Sequence, residues 1–418
     1  MEVDTAEFPE GGMGWLVLAA AWCAMAGSWG MVNSFGVYQA YYQTDLYPHE
    51  DAFKISVIGA LQCFCIYEFS IPTVYLLHHL NARITITLGV LIQTFSLMMM
   101  SITNNIWQLF LVQGLLFGLG NGIVYLTAIT IIMQWFKRRR ALAVGIAASG
   151  SSIGGVIWPI AVKKLIAEVG IDWANRILGF IYIPMGAVMI LFLKPRLSLR
   201  AEKKATLLPF NFEVLKDIKF VFLVAGFTIT NFGLMPGLFF NDLYGQRLSN
   251  KTGHTLVEPQ YYVSILNAMS MVGRIMPGFL ADKFGRLNLL IPFALLSGIF
   301  PLVLWLPSSS SNNLFMSFVV LWGLSSGAMI SLFPTLVPQL FGIKDNQSRT
   351  SLFFAIGGIG TLFGPIICGA FVPLAADSQG DIDGFDKVSI FIGVMFLAGT
   401  AMLVGLRVWS SRSLKKII

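Results

Sequence analysis

One arginine lies where a charge is costly. Arg274 stands in the apolar stretch Tyr261–Ala281, which contains no other charged residue. An arginine in the centre of a bilayer costs at least about 2.5 kcal/mol, so it is expected to face a cavity or a partner and to have a function. Its guanidinium is a fork of N–H donors that matches the two oxygens of a carboxylate. Arg274 therefore predicts an anion site inside a membrane. The alternative is a structural arginine bound to helix carbonyls or to another polar side chain.

One acidic residue, Glu68, is expected at a similar depth. A carboxyl group in that environment can load and release a proton near neutral pH, which would couple proton movement to the function. It is equally compatible with a fixed partner for Arg274 or with a hydrogen bond to a tyrosine or glutamine. Further polar candidates for a cavity are Gln62, Asn121, Asn231 and Asn267. Each of them alone also fits a hydrogen bond between helices.

The remaining residue types exclude several kinds of chemistry. The four cysteines include the pair Cys63-x-Cys65, whose spacing does not suit zinc, and His78-His79 is not a metal pair either. The chain lacks the G-x-x-x-x-G-K-[ST], H-E-x-x-H and G-x-S-x-G patterns. We expect no catalytic residue, no metal and no cofactor, and hence no enzyme and no ATP-driven process.

The composition is that of a membrane protein. The chain has 418 residues, of which 56% are hydrophobic and 12% charged, and its mean hydropathy is +0.74. Apolar runs of roughly 20 residues, each long enough to cross the hydrocarbon core, recur from end to end. Twelve such runs are centred near Ala26, Ile66, Gly89, Phe117, Ser151, Ile183, Thr230, Ser270, Leu296, Gly323, Gly360 and Phe396.

The placement of the charges predicts the orientation. Basic clusters at Lys137–Arg140, in Lys194–Lys219 and in the tail Arg407–Lys416 all fall on one side of the predicted spans. The positive-inside rule then puts both termini in the cytoplasm, and the net charge of +7 does not indicate nucleic-acid binding. The acidic N-terminus is not expected to be a cleaved signal peptide. The sequon at Asn250 is predicted to lie in an outside loop and is a candidate for glycosylation.

The chain contains one internal repeat. A shift of 205 positions brings Gly118-Leu119 and Gly122 onto Gly323-Leu324 and Gly327. We therefore predict an all-α fold of twelve transmembrane helices in two pseudo-symmetric bundles of six, residues 1–197 and 217–418, joined by a cytoplasmic loop, residues 198–216. Such halves rock about a site near the membrane midplane.

A local motif supports this architecture. Residues 278–286 read GFLADKFGR, which resembles the G-x-L-A-D-[RK]-x-G-R signature of the major facilitator superfamily. The resemblance implies that Asp282 caps a neighbouring helix and, with Arg286, Gly278 and Gly285, gates the molecule at its cytoplasmic face. The matching stretch of the first half, Thr73–Arg83, is degraded. Leu77, or His78 if one gap is allowed, takes the place of the acid. His78 and His79 are either interfacial residues or a pH-sensitive substitute.

Three more stretches resemble the monocarboxylate porters of that superfamily. They are EGGMGW at residues 10–15, WFKRRRALAVG at residues 135–145 and GRIMPG at residues 273–278. The fungal branch is the nearest in pattern, given residues 34–39 and Trp173-Ala174-x-Arg176.

The resemblance to the porters implies roles for single residues. It places the substrate-binding arginine of that family at Arg274. Asn33 and Ser270 stand where the animal porters carry a lysine and an aspartate that couple protons, and neither titrates in the usable range. Asn33, Ser270 and Asn267 are therefore candidates for binding the substrate together with Arg274, and proton coupling is left to Glu68. Phe232, Phe239, Phe240 and Phe353 are either packing residues or the wall of a cavity for an apolar carboxylate.

The sequence thus predicts a secondary transporter that moves an organic carboxylate by alternating access, with or without coupling to protons. One alternative is an efflux transporter for a secondary metabolite that need not be acidic. A second is a membrane nutrient sensor that does not transport, although the short tails argue against it. The expected partners are a small organic anion, the lipid bilayer and a proton, and the expected unit is a monomer in the plasma membrane.

Overall fold

The computed structural model describes residues 10–50, 52–196, 212–253, 257–258, 261–342, 346–372 and 382–410. Within these ranges the chain is helical and contains no β-strand, as the sequence predicts. Of the predicted connecting loop, residues 198–211 lie outside the described residues, and Phe212–Lys216 form a short 3-10 turn.

Eleven helical segments in the described ranges are long and apolar enough to cross a membrane. The helices of the first half are α1 (Met13–Leu46), α2 (Lys54–His79), α3 (Ala82–Met100), α4 (Ile106–Trp135) and the segment Arg140–Phe192. Those of the second half are α7 (Ile218–Thr252), α8 (Tyr262–Phe284), α9 (Arg286–Ser310), α10 (Asn312–Phe341), α11 (Asn346–Gly369) and α12 (Phe385–Ser410).

The segment Arg140–Phe192 counts as two spans. Its 53 residues would be about 80 Å long as a straight helix, whereas the hydrocarbon core is about 30 Å thick. The backbone leaves the helical region at Gly170, with φ 78° and ψ 165°, a conformation that suits glycine. We therefore divide the segment into α5, residues 140–169, and α6, residues 171–192. With this division the structure has the predicted number of twelve spans.

Helix α1 is interrupted in its middle. Residues Ala26–Gly30 form a π-helical turn, and a short turn follows at Asn33 and Ser34. Two side chains of the same half bind carbonyls at this turn: Trp158 Nε1 donates to Ala26 O at 2.8 Å, and the Tyr182 hydroxyl donates to Gly27 O. These bonds satisfy carbonyls in an irregular segment inside apolar protein, where an unpaired carbonyl is costly.

The two halves meet along two helix pairs. On the α5–α8 pair, a Cβ atom at Gly145 would stand 2.2 Å from the carbonyl oxygen of Arg274, so only glycine fits this approach. On the α2–α11 pair, the Ser70 hydroxyl donates to Ser351 O at 3.0 Å. The core of the molecule lies between these pairs, and the site described below is part of it.

The sequon at Asn250 lies in the last turn of α7 and not in a loop. Asn250 itself is exposed, whereas the Thr252 hydroxyl donates to Leu248 O at 2.9 Å. The loop prediction was wrong because the helix continues to Thr252, where Gly253 ends it with φ 66°.

Candidate functional site

A central cavity lies between the two halves. The cavity volume is about 60 Å³. This is room for several water molecules, since each needs roughly 10–15 Å³ of such volume. Its polar lining consists of Asn33, Ser151, Thr230, Asn231, Asn267 and Arg274. Its aromatic lining consists of Trp29, Tyr67, Tyr125, Phe227, Phe333, Phe354 and Phe396.

Arg274 occupies the middle of α8, ten residues from its end at Phe284, and is only 5% exposed. Its Nη1 donates across the interface to α5, to Ala148 O at 2.6 Å and to the Ser151 hydroxyl. No carboxylate of the described residues lies within ion-pair distance of it. Arg274 thus lines the cavity, as expected for an anion site, and also binds a helix carbonyl, as expected for a structural arginine.

Two N–H donors at the cavity have no partner within the described residues. They are Nε of Arg274 and Nδ2 of Asn231, and both are buried. An unpaired buried donor costs about 1–3 kcal/mol. A ligand that brings hydrogen-bond acceptors to these two groups would remove that cost.

Asn33 and Asn267 approach each other across the two halves. A Cβ atom at Gly155 of α5 would lie 2.6 Å from Nδ2 of Asn33 and 2.9 Å from the Oδ1 atom of Asn267. The absent side chain therefore leaves room for both amides beside the cavity. Asn33 follows the irregular part of α1, so the break in that helix positions it.

Ser270 is not part of the cavity lining. It is 2% exposed, and a Cβ atom at Gly327 of α10 would lie 3.0 Å from its hydroxyl oxygen. The residue packs against this neighbouring helix of its own half, although the four-residue spacing puts it on nearly the same face of α8 as Arg274. Its predicted place beside the substrate does not agree with this conformation.

Glu68 lies next to the cavity but does not line it. The residue is half-buried in α2, one position after the lining residue Tyr67, and faces α11, where a Cβ atom at Gly358 would be 3.1 Å from its Oε1 atom. It makes no ion pair with Arg274, whose partners belong to α5. The suggested fixed partnership of Glu68 with Arg274 is therefore wrong for this conformation.

Some of the other polar and aromatic candidates line the cavity, and the rest lie elsewhere. Asn231 and Asn267 line the cavity, whereas Asn121 accepts a hydrogen bond of 2.5 Å from Gln93 Nε2 inside the first half. Four phenylalanines predicted as possible wall residues do not line it; they are Phe232, Phe239, Phe240 and Phe353. Other aromatic residues line the cavity instead. The prediction failed because the sequence of an all-apolar helix does not show which of its faces points inward.

The predicted gating residues form a compact group, which we call the latch. The two carboxylate oxygens of Asp282 accept from the backbone N–H groups of Ala141 at 3.0 Å and Leu142 at 2.9 Å, at the N-terminus of α5. Arg286 Nη2 donates to Asp282 Oδ1 at 2.8 Å and to Lys137 O at 3.2 Å. An acid at a helix N-terminus is stabilised by the helix dipole. These bonds join the second half to the first.

Two glycines make the latch possible. A Cβ atom at Gly278 would stand 2.7 Å from Ala141 O, so glycine allows α8 to approach α5 one turn before Asp282. Gly285 has φ 96° and lets the chain turn between α8 and α9, which brings Arg286 back towards Asp282.

The segment before α1 binds the same region from the other side. The Glu10 carboxylate accepts from the backbone N–H groups of Lys137 at 2.7 Å, Arg138 at 2.6 Å and Arg139 at 3.2 Å. The rings of Trp15 and Phe136 meet edge to face, 5.6 Å apart. Two of the motifs that we noted separately in the sequence are therefore in direct contact.

Comparison with known proteins gives one consistent result. The chain matches the family described as Major Facilitator Superfamily over residues 15–365 and 248–416. It is 33% identical to the MFS transporter asaE of Aspergillus flavus over 96% of this chain and 88% of that protein. It is also 33% identical to the agnestins efflux protein of Paecilomyces divaricatus, over 93% and 86%. Its identity to the aspyridones efflux protein apdF of Emericella nidulans is 30%, over 97% and 80%.

The fold is similar to that of the fucose:proton symporter of E. coli. The TM-score is 0.62 with 14% sequence identity, and the match covers 93% of this chain and 98% of that one. These comparisons agree with the twelve-helix fold. The finer resemblance to monocarboxylate porters stays a prediction.

Proposed function

Because this chain belongs to the major facilitator superfamily, we propose that it is a secondary exporter of a small organic metabolite. Relatives that cover nearly its whole length are named as efflux proteins for agnestins and aspyridones. This supports the efflux alternative of the sequence analysis over uptake of a simple carboxylate. The observation that carries the proposal is the cavity between the two halves, with aromatic walls and a buried guanidinium.

The ligand is mainly apolar and has an acidic or acceptor-rich end. The apolar part suits the aromatic lining, and the acceptor end suits the unpaired donors of Arg274 and Asn231. A carboxylate is the best match for a guanidinium, because both oxygens can accept from the fork. In the proposed complex, Arg274 binds this end, and Asn33 and Asn267 provide further polar contacts.

Binding and rocking are linked through Arg274. Its Nη1 holds Ala148 O and the Ser151 hydroxyl of the opposite half. A carboxylate that takes over these donors releases α5 from α8 at the middle of the molecule. The ligand then stabilises the separated state, and this differential interaction is what a conformational shift requires. The latch must also open before the cavity can connect to the solvent on the latch side of the molecule.

Glu68 is our candidate for coupling transport to protons. It lies on the α2–α11 contact between the halves, next to the cavity wall at Tyr67. A carboxyl group at a contact that opens and closes would change its exposure to water during the cycle, and with it its proton affinity. Proton exchange at this point would supply the driving force.

We place the protein in the plasma membrane with the latch side in the cytoplasm. The exposed residues Lys137, Arg138 and Arg139 lie on the latch side and favour the cytoplasmic face. The opposite face carries Asn250, which is then accessible to glycosylation.

Export can be tested in cells that express the protein. The cells are loaded with a panel of apolar acids, with and without rings, and with the methyl esters of these acids. The amount retained is compared with that in empty-vector cells and in cells that express Arg274→Ala. We expect lower retention of at least some acids with the wild type only. Unchanged retention of every compound would overturn export and favour the non-transporting sensor.

Uptake of a small carboxylate is the second candidate, and Arg274 in a cavity favours it too. The same experiment separates the two functions. An importer would raise the internal amount of acids supplied outside, whereas an exporter would lower the amount of acids loaded inside.

A further inference from the structure

Two pairs of stacked aromatic rings meet beside the cavity. Tyr67 of α2 stacks on Phe354 of α11 with ring centres 5.4 Å apart and an interplanar angle of 14°. Phe227 of α7 stacks on Phe353 of α11 at 4.1 Å and 21°. The first pair joins the two halves, whereas the second lies within one half. Both rings of the first pair line the cavity, but Phe353 does not.

The cross-half stack is supported by further rings of the first half. Trp29 lies 5.3 Å from Tyr67, and Tyr125 meets Phe354 edge to face at 5.3 Å. Aromatic rings prefer such offset-stacked and edge-to-face arrangements. Tyr67 and Phe354 are also buried, at 6% and 1% exposure. The ring faces are therefore held in fixed orientations at the cavity wall.

The position of the stack links it to opening. One turn further towards the latch side, the Ser70 hydroxyl binds Ser351 O across the same helix pair. Separation of α2 from α11 on that side would pull Tyr67 and Phe354 apart. Each ring would then lose the aromatic face that it now covers.

We propose that the rings of the Tyr67–Phe354 stack selectively bind a flat, unsaturated ring of the ligand. This rests on the proposed function, since it names the class of compound that the exporter accepts. As the halves separate, a flat ring of the ligand takes the place of one of the two side-chain rings. A puckered saturated ring has no π face and cannot restore this contact.

The acid site and the ring site lie within one ligand's reach. Arg274, Tyr67 and Phe354 all line the same small cavity. The substrate class that fits is a planar ring with a carboxylate or a similar acceptor group attached directly or through a short linker.

A matched pair of probes tests the ring site in the purified protein. Naphthoate and decalin carboxylate, its fully saturated counterpart, share the acid group and the carbon skeleton. Binding of each is measured by isothermal titration calorimetry. We expect the wild type to bind naphthoate several-fold and up to about tenfold more tightly, since only the aromatic ring can restore the stacking contact.

Variants assign the preference to the stack. The double variant Tyr67→Leu/Phe354→Leu, which leaves neither ring of the stack, should bind both probes with similar affinity, whereas Tyr67→Phe, which keeps the ring, should retain the preference. Phe315→Leu is the control, because it removes a buried ring that stacks on Phe318 within the second half and does not line the cavity. Thermal unfolding shows whether each variant is folded.

Several outcomes would overturn the ring site. These are equal affinities of the wild type for the two probes, no binding of either, or a preference that persists in Tyr67→Leu/Phe354→Leu. The outcome is independent of export. Export of ring-free acids without any ring preference would remove only this inference. A clear ring preference in a protein that exports nothing would remove the proposed function and leave the binding site.

Discussion

At the scale of single residues, Arg274 shows how a charge is accommodated inside apolar protein. The Nη1 atom of the guanidinium makes both hydrogen bonds to α5, and the Nε atom has no partner among the residues that the structure describes. Partial pairing keeps the arginine in place without using all of its donors. A buried cation with spare donors is a site for an anion or an acceptor, and it is less stable alone than with its ligand.

Arg274→Lys is the sharpest test of this role. Lysine keeps the charge but loses the planar fork, so one of the two carboxylate oxygens would lose its bond. We expect a carboxylate probe to bind roughly tenfold or more weakly, in line with about 1.5–3 kcal/mol for a hydrogen bond to a charged group. Calorimetric titration measures this, with the methyl ester of the probe as the control. Equal weakening of acid and ester would contradict a charge-specific contact.

Asp282→Asn addresses the latch. The change removes the negative charge beside Arg286 and one of the two acceptors that face the N-terminus of α5. We expect turnover to fall much more than affinity, with the closed latch destabilised by about 1–3 kcal/mol. Initial transport rates and Kd values separate the two effects.

The control for the latch is Asp217→Asn. Asp217 accepts from Lys219 N at 2.9 Å at the start of α7 and is exposed, within one half. This variant should behave like the wild type. Loss of affinity with normal turnover in Asp282→Asn would show that Asp282 has no gating role.

Glu68→Gln tests proton coupling. The amide keeps the size of the side chain but cannot titrate. We expect transport by the wild type to change with pH, and transport by the variant to be independent of pH while exchange of ligand for ligand continues. Transport rates of both proteins, measured in proteoliposomes between about pH 5 and about pH 8, show whether the pH dependence is lost in the variant. A wild-type pH profile in the variant would assign coupling to another group.

The sequence predicts some of these residues better than others. Arg274 and Asp282 stand out because a charge in an apolar run or in a short motif is visible without a structure. Ser270 does not line the cavity, and Tyr67 and Phe354 do so without any signal in the sequence. In helices that are apolar on all sides, no periodicity shows which face points inward.

At the scale of elements, the contact of α5 with α8 depends on backbone proximity. Gly145, Gly155 and Gly278 remove side chains where the helices come nearest. Small residues at helix interfaces replace the hydrophobic driving force, which is absent in lipid, by close packing. The irregular turn of α1 has a related role, since a Cβ atom at Gly30 would be 2.9 Å from the Cα of Gly154.

Gly145→Ala is the corresponding prediction. The added methyl group would stand 2.2 Å from Arg274 O, so α5 and α8 must move apart. Overpacking of this kind costs typically about 1–3 kcal/mol, and we expect a lower Tm and weaker ligand binding through the displaced Arg274. Gly36→Ala is the control, since nothing lies within 4 Å of its added atom. A Tm of Gly145→Ala equal to that of Gly36→Ala would contradict the close approach.

The elements themselves are largely predictable, and their irregularities are not. Length and apolar composition indicate every span. The π-helical turn Ala26–Gly30 in α1 depends instead on Trp158 and Tyr182, more than a hundred positions away in the chain. Tertiary contacts of this kind have no local signature. The corner at Gly170 is similar, since many other glycines of this chain stay helical.

At the scale of the whole molecule, the two halves are related but do not close in the same way. The second half contributes an acid and an arginine to the latch, whereas Leu77 and His78 stand at the equivalent place of the first half. On the same helix, about two turns before Leu77, the Ser70 hydroxyl donates to Ser351 O of the second half. Opening on the latch side must therefore break the hydrogen bonds of Asp282 to α5 at one helix pair and the bond from Ser70 to Ser351 at the other.

The orientation of the molecule can be measured directly. Asn250→Cys lies at the end of α7 and Arg138→Cys on the latch side, and both positions are exposed. The native cysteines are buried or half-buried, so they give little background. We expect an impermeant thiol reagent to label at least half of Asn250→Cys in intact cells and Arg138→Cys only after the cells are broken. The reverse pattern would invert the assigned topology.

The guanidinium that bridges both halves also defines how this protein could be blocked. A compound that fills the chamber and leaves Arg274 on Ala148 O would strengthen the resting arrangement instead of releasing it. Masking the acid of a transported molecule as an ester, while keeping its rings, should therefore turn cargo into an inhibitor.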